Sequence, residues 1–527
     1  MKQKYFRNFF PDMNSVVTVF FAFLIVDVVF TQNKNQRPNI LFIMSDDHTS
    51  QAWGLYGGIL KDHVKNENIQ RLANDGCVLE NSFCTNSICT PSRAAILTGQ
   101  YSHMNQVYTL REPLPSDHVN IASLLKQGGY QTAVIGKWHL VNQPVGFDYY
   151  NVLPGQGVYF DPVLKNAETW EDGYGGGKKY EGFSTDVITD LTIKWLRERD
   201  HQKPFLMLTH FKATHEPFHY PEKYSHLYKN ISLPEPESLY DFTPKTTGRS
   251  FKGQKLEVLG GRMLKASVDP DNFWTTYPGL PFTTEGIDSI QARKKIYQKF
   301  VKDFLRCGAV IDENIGKLLD YLDKAGLTEN TVVIYTADQG YFLGEHGFFD
   351  KRLIYEESLR MPFVIRYPKE IPAGTRNNDI ILNIDFSALM ADYAGIQIPT
   401  TMQGTSFRNN LMGYTPPGWR KSMYYRYWLH RVERPGHFGL RNENFKLVFF
   451  YGQPLGMKGA MKAVTNPAWE FYDLNKDPRE NHNSYQDPRY TNIIKTMKNE
   501  LLIQREMVGD MDKNYPIMLD IIDKHWD

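Results

Sequence analysis

Along the chain, short runs of apolar and β-branched residues alternate with stretches whose apolar positions recur every three or four residues. The runs are "NILFIMSDDHT", "QTAVIGKWHL", "PFLMLTHFKATHEP", "TVVIYTADQG" and "PFVIRYP". Continuous apolar strands separated by helical patterns predict a mostly parallel sheet sandwiched by helices. Thr185 to Arg199 carries Val187, Ile188, Leu191, Trp195 and Leu196 at helical spacing, and a longer helix is predicted from Arg293 to Ala325, ended by Gly326. Residues 221–290 break the rhythm. Rich in Pro, Gly, Thr and charge, they are expected to be a long irregular insertion rimming a cleft. From about residue 415, "SMYYRYWLHR", "HFGLRNENFKLVFFY" and "WEFYDLNKDP" precede a last helical stretch. The expected fold class is therefore α/β, with an N-terminal domain over residues 37–414 and a smaller antiparallel α+β subdomain over 415–527.

Composition narrows the partners more than the fold. The chain has 527 residues, and 60 Lys and Arg nearly cancel 59 Asp and Glu, so nothing global points to nucleic acid or an anionic membrane. Lys2, Lys4 and Arg7 precede an apolar run from Val16 to Phe30 that only Thr18 and Asp27 interrupt. That run is shorter than the roughly 20 residues a membrane helix needs, and residues 1–31 read as an export signal, with a retained N-terminal anchor as the alternative. Export would make the protein periplasmic or secreted, with no stable membrane insertion once the signal is removed. Four cysteines in an exported protein suggest two disulfides, yet Cys307 sits in an apolar helical pattern. Cys77 and Cys84 either pair or are both buried and inert.

Four of the apolar runs end directly in polar residues, where strands of an open α/β sheet present ligand-binding groups. Asp46 and Asp47 follow "ILFIM", and Asp338 and Gln339 follow "TVVIYT". Three carboxylates and an amide oxygen make an all-oxygen site for a hard divalent cation. Taken alone, Asp46 and Asp47 would be read as caps of the next helix. Lys137 and His139 end "TAVIG", His215 lies in "KATHEP", and Lys351 lies in "EHGFFDKR". With Arg93 they would gather donors and positive charge over the metal, as a tetrahedral oxyanion ester requires. Cys89 opens a predicted helix beside Pro91, at the positive end of its dipole. That position suits a thiolate, but no base lies nearby in sequence.

Cys89-Thr90-Pro91-Ser92-Arg93 followed by Leu97-Thr98-Gly99 resembles the signature of the formylglycine-dependent (type I) sulfatases. The resemblance extends through "PNILFIMSDDH", "GKWHL", "TADQGYFLGEHGFFDK" and "WEFYDLNKDPRENHN", nearly the whole exported chain, and is nearest to bacterial secreted polysaccharide sulfatases of ulvan and glycosaminoglycan type. It implies an alkaline phosphatase-like fold and a maturing enzyme, formylglycine-generating or anaerobic, that oxidises Cys89 to formylglycine (3-oxoalanine). The hydrated aldehyde would be the nucleophile toward the sulfur of a sulfated carbohydrate. One calcium ion would be held by Asp46, Asp47, residue 89, Asp338 and Gln339, while Arg93 supports the diol. Lys137, His139 and Lys351 would hold sulfate oxygens, and His215 would protonate the leaving oxygen. Gln339 departs from the asparagine common in the family, and "THEPFH" departs from His-x-Pro-His, which leaves His219 as a substitute acid. Two rival readings remain: a phosphate or phosphonate monoester hydrolase of the same superfamily, and a glycan-binding protein in which Cys89 stays unmodified.

Overall fold

A computed structural model of the chain describes residues 37–242, 246, 255–273 and 275–527. The expected export signal, residues 1–31, lies outside the described residues. Among the described residues no helix is long and apolar enough to cross a membrane.

Eight strands form the main sheet: β1 (Asn39–Asp46), β2 (Cys77–Leu79), β3 (Gln131–Lys137), β4 (Tyr149–Leu153), β5 (Phe205–Thr214), β6 (Thr331–Ala337), β7 (Phe363–Arg366) and β8 (Thr375–Asn377). Their order is β8-β2-β7-β6-β1-β5-β3-β4. β7, the "PFVIRYP" run, lies antiparallel to both neighbours, whereas the other pairings are parallel. The central strands are apolar throughout because both of their faces are covered. On β1, Ile40, Phe42 and Met44 enter one core with Ala94 to Leu97 of helix α1 (Cys89–Thr98), while Leu41 and Ile43 enter a second. That second core is closed by helix α2 (Ser184–Glu198) and by Cys307, Val310, Ile311 and Leu318 of a long helix.

The expected long helix spans Ser289–Lys324, capped by the Asp288 side chain, which accepts from Gln291 N at 2.8 Å, and stopped by Gly326 at a φ of 66°. The 221–290 segment differs from the expectation of irregular chain. It contains a 13-residue helix, α3 (Leu256–Val268), ahead of the long helix, which is α4. Leu256, Leu259 and Met263 bury against Ile296, Tyr297 and Phe300 of α4. Gly260, which reads as a helix breaker, is the point of closest approach: a Cβ there would lie 2.5 Å from Ile296 Cδ1.

The C-terminal part folds into an antiparallel sheet of β9 (Ser422–Tyr427), β10 (His437–Asn442), β11 (Phe445–Phe450) and β12 (Ala468–Asp473), packed under a helix over Thr491–Val508. Met423, Leu440, Leu447 and Phe471 share the core that holds Ile40 and Phe42, so residues 37–527 form one compact unit. This sheet also braces the cleft. The Tyr425 hydroxyl accepts from Ser87 N at 3.1 Å and donates to Arg352 O at 2.7 Å, tying the approach to Cys89 to the residue after Lys351.

Gly136, next to Lys137, tests how tightly β3 and β5 must approach. Its φ is +107° and a Cβ would fall 1.9 Å from the His210 carbonyl oxygen. Gly136→Ala should lower the unfolding free energy by about 2–4 kcal/mol in chemical denaturation. An unchanged midpoint would mean that β3 tolerates displacement there.

Candidate active site

Register sets the site. Ser45 of β1 pairs with Ala337 of β6, so Asp46 and Asp338 leave the sheet at one level, and Gly136 of β3 pairs with His210 of β5. Asp47 then turns at a φ of 63°, and its backbone N–H donates to Asp338 Oδ1 at 3.0 Å. Neither aspartate caps a helix; Thr49 holds the N-cap position of the short turn that follows. Asp46, Asp47 and Asp338 are buried, and one carboxylate oxygen from each lies within 4.8 Å of the others.

Cations surround these carboxylates. Arg93, one turn into α1, reaches Asp338 Oδ2 with Nε at 2.9 Å, Asp46 Oδ1 with Nη2 at 3.5 Å and the Lys137 carbonyl with Nη1 at 2.8 Å. The Lys137 ammonium contacts Asp46 Oδ2 and donates to Gln156 Oε1 at 2.6 Å. Lys351 Nζ sits 2.5 Å from both Asp47 oxygens, and His215 Nε2 lies 3.8 Å from Asp47 Oδ2. The balance is uneven. Burial alone would raise Asp46, but the positive charges of Lys137 and Arg93 hold it well below the usual carboxylate range. Burial raises Asp47 to about 6, and burial with the charge of Asp46 raises Asp338 to about 7. Burial lowers the Lys351 ammonium, but Asp47 and the other anions outweigh it and the net shift is upward. Burial and Lys137 hold His139 and His215 well below the ordinary histidine value, so both rings are neutral.

Cys89 completes the cluster at the start of α1, with its Sγ, an Asp46 oxygen and a His215 nitrogen all within 4.8 Å of one another. Burial, then the charge of Asp46, pushes the thiol up to about 12. At neutral pH the thiolate is on the order of one molecule in 10^5, so the helix dipole does not make this cysteine a nucleophile. Gln339 donates through Nε2 to Asp47 and, at 3.9 Å, to Cys89 Sγ, while its Oε1 is buried without a partner. The three carboxylates form an acidic cluster that could hold one hard cation, and Gln339 faces it with its amide nitrogen, so its oxygen would join only with the amide turned over. All four cysteines are free and buried, which settles Cys77 and Cys84 as an unpaired, inert couple.

His139 lies at the same rim with a φ of 56°, its carbonyl accepting from Thr90 Oγ1 at 2.9 Å and its Nδ1 unpartnered. His219 does not join the cluster. It stacks edge-on against Tyr159 and Phe160 and lies 3.5 Å from Thr276 Oγ1. Sequence reasoning missed Gln156 and Lys212. Gln156 carries no motif, but a lysine within the largely apolar run "FLMLTHFKAT" was a signal.

Residues 38–396 match the family model described as Sulfatase, and residues 344–507 match one described as N-sulphoglucosamine sulphohydrolase, C-terminal. The chain belongs to the sulfatase family. It is 37% identical to an N-acetylglucosamine-6-O-sulfatase of Bacteroides thetaiotaomicron over 91% of this chain and 88% of that protein. It is 26% identical to an ulvan-active sulfatase of Formosa agariphila over 76% of this chain and 70% of that protein. A solved structure of a protein in complex with its substrate D-glucosamine-2-N,6-O-disulfate superposes with a TM-score of 0.81 at 34% identity, covering 91% of this chain and 100% of that one. This chain is a sulfatase, with the mostly parallel, helix-covered sheet of the alkaline phosphatase-like class.

Burial and the raised thiol pKa together predict cysteine chemistry. With Cys89 unmodified, iodoacetamide at pH 8 should label none of the four cysteines in the native protein and all four after unfolding, read by mass spectrometry. Native labelling of Cys89 would contradict a closed site that keeps the thiol protonated.

Proposed function

We propose that this exported sulfatase hydrolyses the 6-O-sulfate of a glucosamine-type sugar, using formylglycine at position 89 and one calcium ion. The observation that carries the reading is the placement of Cys89: an unreactive thiol within 4.8 Å of Asp46, beside Asp47, Asp338 and Gln339. The substrate rests on the 37% identical N-acetylglucosamine-6-O-sulfatase and on the glucosamine disulfate complex, both nearer to this chain than the 26% identical ulvan-active enzyme. The charged, apolar N-terminal segment supports export, and an oxidised residue 89 calls for a maturing enzyme as partner. The groups involved all stand within residues 37–414, which we take as the catalytic domain, with 415–527 as the C-terminal subdomain.

As a hydrated formylglycine, residue 89 would supply a geminal diol, one hydroxyl attacking sulfur and the other allowing sulfate to be expelled as the aldehyde re-forms. Calcium among Asp46, Asp47, Asp338 and the Gln339 amide oxygen would acidify that hydroxyl and draw charge from the sulfate oxygens. Arg93, locked between Asp338 and Asp46, steadies the diol. Lys137 and Lys351, the ammonium groups nearest the carboxylates, bind the non-bridging sulfate oxygens, with His139 donating beside them. His215 is oriented by its Nδ1, 2.8 Å from the Glu216 carbonyl, which leaves Nε2 turned toward the cluster. In the neutral ring that contact keeps the proton on Nδ1, so His215 would serve as the acid by taking up a second proton at Nε2 and passing it to the departing sugar oxygen.

The matured protein, assayed for sulfate release, should act on N-acetylglucosamine-6-O-sulfate in preference to ulvan oligosaccharides or a nitrophenyl phosphonate ester, and chelation should abolish that activity. Preference for the phosphonate ester would move the chain to the rival chemistry, and full activity without calcium would remove the metal.

His215→Ala should separate acid catalysis from sulfate binding. Turnover of a sugar sulfate, whose alkoxide needs a proton, should fall by about 10^2–10^4-fold, whereas nitrophenyl sulfate, whose phenolate leaves unaided, should be affected far less. Equal losses would make His215 a sulfate ligand, and a selective loss in His219→Ala instead would transfer the role.

A further inference from the structure

Lys212 lies within β5, where every residue is buried, and is itself only 3% exposed. Lys137 and Lys351 each meet a carboxylate. Among the described residues no carboxylate comes within ion-pair reach of Lys212. Its ammonium donates to the Gln156 carbonyl at 3.0 Å and stands 4.8 Å from the centre of the Tyr159 ring. Burial, followed by the charge of Lys137, lowers its pKa to about 8. A buried ammonium with one hydrogen bond and one aromatic face opposes folding, and an apolar side chain between Phe211 and Ala213 would fill the same space without that penalty. A side chain that works against stability in a core is a marker of use elsewhere.

Both contacts lead into the active site. Gln156 turns its own Oε1 to Lys137 Nζ at 2.6 Å. Tyr159 donates its hydroxyl to the His215 carbonyl at 2.6 Å and accepts from Cys307 Sγ at 3.6 Å. The short segment from Gln156 to Tyr159 therefore grips the side chain of one catalytic group and the backbone of another. Lys212 is the group that fastens this segment to β5 at both of its contact points.

We propose that Lys212 is a positioning residue for sulfate-ester hydrolysis: its ammonium holds the segment bearing Gln156 and Tyr159, and through them sets Lys137 against the sulfate and His215 against the leaving oxygen. The assignment rests on the roles given to Lys137 and His215 under the proposed function. It requires that the ammonium act without touching substrate, and it predicts that stability and turnover respond in opposite directions when the charge is removed.

The test uses the matured full chain with Lys212→Met, Gln156→Ala and the double variant. Lys212→Met should melt at the same temperature as the wild type or higher, yet turn over nitrophenyl sulfate about 10- to 100-fold more slowly and a sugar sulfate more slowly still, because only the sugar also needs the His215 arm. On nitrophenyl sulfate, adding Lys212→Met to Gln156→Ala should cost less than Lys212→Met does alone, since the two act along one path. Full turnover in Lys212→Met, a loss that only follows a lowered melting temperature or failure to fold, or strictly additive losses would each overturn the proposal. The wild-type protein and His215→Ala test the assigned roles separately, whatever Lys212→Met does.

Discussion

The structure turns on bringing three carboxylates together where there is almost no water. Asp46, Asp47 and Asp338 are buried, with oxygens within 4.8 Å of one another. At an effective dielectric of about 20, two charges at that distance repel by about 3 kcal/mol, so the three pairs sum to about 10 kcal/mol. That is comparable with the whole stability of an ordinary domain, about 5–15 kcal/mol. The sheet can hold them only because Arg93, Lys137 and Lys351 arrive from three different elements, each contacting at least one carboxylate. Burial is the larger cause of the raised pKa values of Asp47 and Asp338 and the charge of Asp46 adds to it, so the cluster still favours added positive charge of the kind a metal would supply.

The same constraint explains why strained backbone gathers here. Asp47, His139, Asp350 and Arg352 all adopt left-handed φ values, 63°, 56°, 76° and 97°, that non-glycine residues avoid. Each such residue costs of order 1–3 kcal/mol and persists only where its surroundings over-determine it. Asp350 is over-determined by Arg352 at 3.0 Å and Arg434 at 3.0 Å, and Arg352 by the Tyr425 hydroxyl on its carbonyl. Lys351 sits between these two strained residues, so its direction is set by the C-terminal sheet. The second sheet is thus part of how the cleft is aimed, although it contributes no group to the carboxylate cluster.

The parts of this arrangement that could be read from residues are those where an apolar run stops at a charge. Asp46, Lys137, His215 and Asp338 stand at strand ends because a buried parallel sheet leaves polar groups nowhere else to go, and Cys89 and Arg93 share one helical turn. What escaped reading was set by contacts distant in sequence. Helix α3 was hidden by Gly260, whose missing side chain is the condition for packing on Ile296. The direction of β7 depends on its pairing with β6 and β2, which leaves no trace in "PFVIRYP". Lys212 went unread because its partners, a carbonyl and an aromatic face, carry no charge pattern.

On the proposed roles, sulfate chemistry and sugar choice are physically separated in this molecule, which is why one is legible and the other is not. The groups proposed to meet sulfate are buried, charge-coupled and fixed by the register of β1, β3, β5 and β6, so replacing any one disturbs the others. The groups that meet the rest of the sugar must face solvent. At the rim beside His219, Phe160 is 50% exposed and Val158 54% exposed, on a segment held to the site through Tyr159 and Gln156. Such side chains can change with little effect on the carboxylate cluster, because their contacts are to ligand and water rather than to the core. A buried, charge-coupled centre under an adaptable rim would let one fold serve many sulfated sugars, with the proposed hydrolytic groups answering to electrostatics and the substrate answering to the shape of the surface above them.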